Sequence, residues 1–432
     1  MIKDEEGESL MKKLGFILFI LIFPCWVFAS DFQWNVKAGA YNRVMGESSN
    51  ILISFKPYAS FLDFYAALDL EFNFEPSGAI KQSDWNSARA WIEKIGFLGY
   101  GEKDEMPAYF RFGAINDFSI GYGILVNRFN NDVYYPARKK AGFIGGYDLG
   151  YTGLELFVED IIDLDFFGGR LFMRPLYGIE NKDIPEFLLR KFVFGLSFIT
   201  DTDPLDQDNV AGNYVLSKDD PDSTPVRAYA ADISLTFLET ENYSVNNYIQ
   251  YGDVQKIGAG FGYGFTGKVF GFLEYKGEFN YSWGGFTPFY FNSFYDVREI
   301  RSMKFSDSAL APNGWGYMIG FYVNPFKNLF KAGVEFSDNA GEKPLLNLYL
   351  YLKPGLVKRL YIKFNYQRRD ITGIVTALDM ESTGSNVLML VEIGYEITQN
   401  ASVGFRYIKN YRELDGVNRE EGLTEIQTNL MF

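Results

Sequence analysis

Asp201, Asp203, Asp206 and Asp208 are the first residues whose types and spacing suggest chemistry. Carboxylates so placed can gather oxygen ligands around Ca²⁺. The run lacks the turn glycine and closing Glu of an EF-hand loop, however, and Asp219, Asp220 and Asp222 extend it as a plain acidic stretch, so a solvated loop is the simpler reading. Residues 282–314 carry a second group. Seven aromatics (Trp283, Phe286, Phe289, Tyr290, Phe291, Phe294, Tyr295) precede charges of both signs, among them Arg298, Glu299, Arg301, Lys304 and Asp307. So many rings in a connecting segment must pack on something, either a lumen that the segment narrows or a surface over which it forms a lid.

A third group is a lane of glycines. Gly258, Gly260, Gly262 and Gly264 alternate with Ile257, Ala259, Phe261, Tyr263 and Phe265. Phe270, Phe272, Glu274, Lys276 and Glu278 would then point the same way from the next strand, with Gly264 opposite Phe270. The lane either curves the strand, with rings resting on bare backbone, or seats an infolded segment.

Catalysis is narrowed by what is missing. The chain contains no His, and its one Cys, Cys25, lies in an apolar leader, which excludes Ser-His hydrolysis and leaves no thiol nucleophile beyond that leader. Paired carboxylates can cleave glycosides, but no pair is singled out. Gly258 to Gly262 sit within alternating strand residues with no helix after them, so they are not a phosphate loop. The expectation is a protein that is not an enzyme and has no cofactor. A formal charge of −14 also argues against nucleic acid as a partner.

The elements that must position these residues are strands. In Leu62–Glu75, Phe64, Ala66, Leu68, Leu70, Phe72 and Phe74 share one face, and Asp63, Tyr65, Asp69, Glu71 and Asn73 share the other. Three carboxylates on one face would be costly in a packed core and suit a wet lumen. The same alternation runs from Phe32–Tyr41 onward in twenty-one candidate segments. In the first half these include 51–58, 88–98, 107–114, 118–127 and 139–147. Pro57 fits its strand poorly, and Trp85, Ala88, Ile92 and Ile95 also repeat at helical spacing, which allows a short helix within 84–95. In the second half, turns at Phe265-Thr266-Gly267, Asn324-Pro325-Phe326 and Lys353-Pro354-Gly355 are short. Connections at 201–225, 282–314, 370–386 and 411–422 are mostly longer. Lys331, Glu335, Lys363, Asn365, Gln367, Glu392, Glu396 and Arg406 are lumen-wall candidates together with Asp63, Asp69 and Glu71.

The last strand ends the pattern. Ile426, Thr428, Leu430 and Phe432 fall on one face, and Glu425, Gln427 and Asn429 on the other. Aromatics make up 18% of the chain, with 42 Phe and 30 Tyr, while the mean hydropathy of −0.10 looks soluble because every second strand residue faces water. The ending resembles the C-terminal strand of bacterial outer-membrane β-barrels, which usually closes on an aromatic read by the assembly machinery. The resemblance implies an all-β fold: one closed antiparallel transmembrane barrel of about 20 strands (18 to 22, an even count), with short periplasmic turns and longer outer loops.

Residues 11–29 read as a secretory signal: Met11-Lys12-Lys13, an apolar core, and cleavage after Val27-Phe28-Ala29. Pro24 and Trp26 do not suit lipoprotein processing at Cys25. Residues 1–10 are too acidic for an n-region, which makes Met11 the expected start, and 30–432 the barrel. Because strand candidates begin at Phe32, a plug domain like that of TonB-dependent receptors is not expected. General porins resemble this chain in narrowing the pore with an infolded, mixed-charge loop. The expected function is therefore a porin-like channel for passive diffusion of small hydrophilic solutes in a Gram-negative-type outer membrane. Its partners would be lipid, the assembly machinery through Phe432, and the solutes. The alternatives are an adhesin or scaffold whose loops plug the lumen, and a transporter of hydrophobic molecules.

Overall fold

The computed structural model describes residues 32–431 apart from 46–47, 76, 104, 133–138, 180–190, 205–224, 296–311, 327–328, 374–376, 378–386, 399 and 415–416. Its first strands are β1 (Phe32–Met45), β2 (Ser48–Phe61), β3 (Phe64–Leu68), β4 (Leu70–Phe74), β5 (Ile95–Tyr100), β6 (Ala108–Gly113) and β7 (Gly142–Asp148). They are followed by β8 (Thr152–Val158), β9 (Phe166–Met173), β10 (Phe192–Asp201), β11 (Val226–Glu239), β12 (Ser244–Val254), β13 (Gly258–Val269) and β14 (Leu273–Trp283). The rest are β15 (Gly314–Val323), β16 (Phe330–Asp338), β17 (Leu345–Leu352), β18 (Leu360–Arg369), β19 (Val387–Thr398), β20 (Ala401–Leu414) and β21 (Val417–Met431).

Neighbours pair antiparallel, and β1 pairs with β21 as well as with β2, so the sheet closes on itself. Closure leaves no row of unpaired backbone groups for lipid to meet. β3 and β4 both pair with β2 and are two halves of one strand, which gives twenty strands around the barrel. The break has a local cause. β2 pairs at Phe55↔Leu70 and again at Tyr58↔Ala67, and between them Pro57 has no N–H to give. The Asp69 N–H, at the break, donates to the Lys94 carbonyl ahead of β5.

The alternation read from the sequence becomes two faces. On β21, Ile426 and Leu430 are 59% and 47% exposed, while Glu425, Gln427 and Asn429 are at most 4% exposed. The exposed apolar set continues round the outside through Leu154, Leu171, Leu196, Ile249, Phe279, Ile319 and Phe405. These side chains have no second layer to cover them, which is the arrangement of a wall that faces lipid.

Several boundaries differ from the sequence reading. Residues 118–127 form no strand; they lie inside the barrel and make only isolated bridges at Phe118 and Val126. Both segments that fitted least well do contribute strands. β2 runs through Pro57, and β5 follows a short helix, α1 (Ala88–Ile92), whose Ser87 hydroxyl accepts from the Ala90 N–H. The β13–β14 turn is at Phe270-Gly271-Phe272, not at 265–267. Phe270 has φ +57° and Gly271 φ +73°, so the chain reverses there, and Gly264 pairs with Glu278 rather than Phe270. Residues 411–422, expected as a loop, lie largely in the extended ends of β20 and β21, which pair from Ala401↔Leu430 to Leu414↔Val417.

Candidate functional site

Two connections from the same end of the barrel fold into its lumen: 114–132, between β6 and β7, and the part of 284–313 described up to Tyr295. They bind each other. Phe289 and Phe291 N–H groups donate to the Ile124 and Leu125 carbonyls, and the Asn127 N–H donates to the Phe291 carbonyl. Ile115, Phe118, Ile120, Ile124, Leu125, Val126 and Phe129 then pack with Phe286, Tyr290, Phe291 and Tyr295. The wall beneath them is apolar on its inner face at Phe157, Phe166, Ile199, Val226, Ala228 and Val254. The six aromatics of 286–295 are each at most 2% exposed. At about 1.5–3 kcal/mol per buried ring, their packing is worth on the order of 10 kcal/mol as an upper bound.

The glycine lane lies under this packing. A Cβ on Gly260 would meet Phe286 at 2.7 Å, and one on Gly264 would meet the Tyr248 ring at 2.1 Å. Tyr122, from the infolded segment, stacks on Tyr248 with centroids 4.0 Å apart. Polar ties complete the attachment. Lys276 donates to the Tyr122 carbonyl (3.1 Å), and Gln250 accepts from the Ile124 N–H (3.2 Å) while donating to Glu278 (2.7 Å). Burial raises the Tyr122 phenol above its usual pKa.

On the other side the lumen stays polar. A chain of alternating charge follows the wall: Glu392, Arg406, Glu425, Arg43, Glu71, Lys56, Asp69 and Lys139, with successive contacts of 4.0, 3.6, 2.6, 3.2, 3.5, 2.9 and 2.7 Å. Strand register produces its first half, from Glu392 to Arg43. Lys331, Tyr351, Lys363, Glu392, Arg406, Glu425 and Arg43 stand directly opposite one another across successive strands from β16 round to β1. Opposite charges at facing positions support a sheet, whereas like charges there would strain it. Facing this wall, Arg128 of the infolded segment pairs with Asp117 (2.8 Å) and reaches Glu335 (3.8 Å). Burial works against its charge, but the carboxylates of Asp117 and Glu335 more than offset that and hold the guanidinium pKa above its ordinary value. Between Arg128 and strands β17–β20 lies a cavity of about 370 Å³.

The sequence candidates are distributed among these features. Asp69, Glu71, Glu392 and Arg406 join the charge chain, and Lys363, Asn365 and Gln367 border the cavity. Glu335 is buried, accepting from Tyr322 (2.5 Å) and Asn347 (3.2 Å). Lys276 and Glu278 attach the infolded segment, whereas Glu274 and Lys331 stay exposed. Asp63 is exposed in the β2–β3 turn, at the rim. Asp201 and Asp203 are buried, with Asp201 accepting from the Tyr295 hydroxyl at 2.7 Å, and no group of three potential metal ligands occurs among the described residues. Arg298, Glu299, Arg301, Lys304, Asp307, Asp206, Asp208, Phe432 and the leader lie outside the described residues. Sequence reasoning missed Arg43, Lys56, Lys139 and the Asp117–Arg128 pair. The first two alternate with outward apolar residues in β1 and β2 and were open to detection.

No family model and no curated protein matches the chain. Solved structures that align with it include OpdL of Pseudomonas aeruginosa, with 10% identity over 94% of this chain and 99% of that one and a TM-score of 0.34. OccK1 (OpdK) of the same organism aligns at 7% identity over 93% and 98%, with a TM-score of 0.34. A mutant of the Rh. blastica porin aligns at 7% identity over 93% and 100%, with a TM-score of 0.27.

Proposed function

We propose that the protein is a porin-like channel of a bacterial outer membrane, through which small hydrophilic solutes diffuse down their gradients. The observation that carries this reading is the divided lumen of a lipid-facing barrel: one sector filled by infolded segments, the other lined by paired charges around a cavity. Segment 114–132 sets the width by occupying cross-section, and the Asp117–Arg128 pair and the opposite wall set the local field. The negative charge of the whole chain favours neutral solutes and cations over anions. The charges at 298–307 belong to the same proposal as contributors to the constriction. Export on the 11–29 leader and assembly through Phe432 belong to it as well.

A second reading has one observation in its favour. The apolar packing around Phe129 and Phe291 resembles a protein core, which suits a barrel plugged by its own loops that presents its outer surface to a partner. Single-channel recording of the refolded protein separates the two. Steady openings with mild cation preference support the channel, and a larger conductance on deleting 296–311 supports a constricting role for those charges. A folded barrel that stays silent in planar bilayers refutes the channel and leaves the surface-interaction reading.

A further inference from the structure

The cavity between the infolded segment and β17–β20 is bordered by exposed polar side chains that the protein itself leaves unused. On the wall, Lys363 and Asn365 follow each other on the lumen face of β18. Both are exposed, and among the described residues neither side chain makes a hydrogen bond or an ion pair. Glu392 stands opposite Lys363 in register, but Arg406 holds it at 4.0 Å and the Tyr361 hydroxyl donates to it at 3.2 Å. On the infolded segment, Asn116 and Asp117 are exposed and border the same cavity, and the Asn116 side chain is likewise without a partner among the described residues. Asp117 pairs with Arg128 at 2.8 Å while its side chain stays 59% exposed, so the carboxylate keeps acceptor sites open to the lumen.

The two groups look at each other across the cavity. Asn365 stands directly opposite Tyr349, the Arg128 guanidinium lies 5.9 Å from the centre of that ring, and Asp117 is bound to Arg128. The wall rim therefore offers donors, an ammonium and an amide, and the segment rim offers a carboxylate and a second amide. The other two cations are engaged: Arg128 by Asp117 and Glu335, Arg406 by Glu392 and Glu425. Leu390, opposite Asn365 and half-buried, joins Tyr349 in giving the cavity some apolar wall.

We infer that this cavity is a subsite for zwitterionic solutes of amino-acid size, with Lys363 and Asn365 receiving the carboxylate and Asp117 and Asn116 the ammonium. An anion that gains at Lys363 is repelled by Asp117, and a cation meets the reverse. A solute carrying both charges gains at both rims, and its side chain lies against Leu390 and Tyr349. Charge-assisted hydrogen bonds to such groups are the stronger kind. The volume of about 370 Å³ falls within the range of small-molecule sites, about 300–1,000 Å³. The inference names a substrate class for the proposed channel and rests on that reading for transport, though not for binding.

The test uses the folded, detergent-solubilised protein and ligand-observed NMR. L-leucine is the zwitterion, and 4-methylpentanoate and 3-methylbutylamine present the same side chain with one charge each. L-leucine is expected to bind about tenfold or more tightly than either, the fold-change of one hydrogen bond to a charged group. Lys363→Met should weaken L-leucine about tenfold without weakening the amine, and Asp117→Asn should weaken L-leucine similarly without weakening 4-methylpentanoate. Lys363 has no partner to strand, so its variant keeps the test open if Asp117→Asn does not fold. Absence of L-leucine binding, equal binding of a one-charge probe, or variants that weaken all three probes alike overturns the subsite. L-leucine binding with this pattern by a barrel silent in bilayers upholds the subsite and refutes the channel, whereas a conducting barrel that does not bind L-leucine refutes the subsite alone.

Discussion

Replacing Arg43 by Met should loosen the barrel at its closing seam. Arg43 on β1 touches Glu425 on β21 at 2.6 Å and Glu71 on β4 at 3.2 Å, with side-chain exposures of 9%, 1% and 7%. At an effective dielectric of about 20, the two contacts are worth about 6 and about 5 kcal/mol gross, most of which desolvation offsets. Stripping one partner from a buried pair costs about 3–5 kcal/mol net, and because Glu425 keeps Arg406 at 3.6 Å and Glu71 keeps Lys56 at 3.5 Å, the expected loss lies near the lower figure. The assay is urea unfolding of the barrel in lipid vesicles, read by loss of the compact form on unheated gels. Adding Glu425→Gln to the Arg43→Met variant removes a buried carboxylate that has lost its nearer partner and keeps only Arg406 at 3.6 Å, and should recover about 1 kcal/mol, so that the two changes are non-additive. Additive losses would refute the reasoning and leave the seam to its backbone ladder and the Tyr41–Asn429 hydrogen bond.

Two further predictions follow from the lumen. Gly260→Val places a side chain where Phe286 already sits, 2.7 Å from the would-be Cβ, and should cost about 1–3 kcal/mol and speed proteolysis within 284–313, whereas Gly373→Val, with nothing within 4 Å, should do neither. Arg128→Met should shift the reversal potential toward cations and raise conductance. Because its carboxylate partners raise the Arg128 pKa, the positive charge is present below the ordinary arginine value and is lost only above it. The difference between variant and parent should therefore persist from about pH 6 to about pH 10; a difference that titrates away in that range would assign the effect to another group.

The fold was legible because each wall strand meets water on one face and lipid on the other, and period two survives wherever that holds, as in Glu425 to Leu430. It became illegible where protein replaced the water. Phe118, Ile120, Ile124 and Val126 resemble a strand because they are apolar at even spacing, yet they pack on inner-wall residues rather than facing lipid. A trace of this was present in the sequence: Phe157-Val158, Phe166-Phe167 and Phe198-Ile199 are apolar on both faces at the same end of neighbouring strands. The charge chain was half visible. Asp69, Glu71, Glu392 and Arg406 stood out on their own strands, but the partners between them come from β1, β2, β21 and the 114–141 connection, and only the closed barrel brings them together. The positions of Phe270 and Phe272 followed from placing the turn too early, since Thr266-Gly267 has turn composition but continues as strand.

The divided lumen also separates two kinds of inherited change. Inner positions such as Phe157, Phe166, Ile199, Val226 and Val254 on β8–β12 are committed to holding the infolded segments, and a substitution there answers to packing, as in any protein core. On the proposed channel reading, inner positions of β16–β20 answer to whatever passes. Descendants of this chain can therefore alter what they admit by drift on one arc of the circumference while the opposite arc keeps the aperture in place.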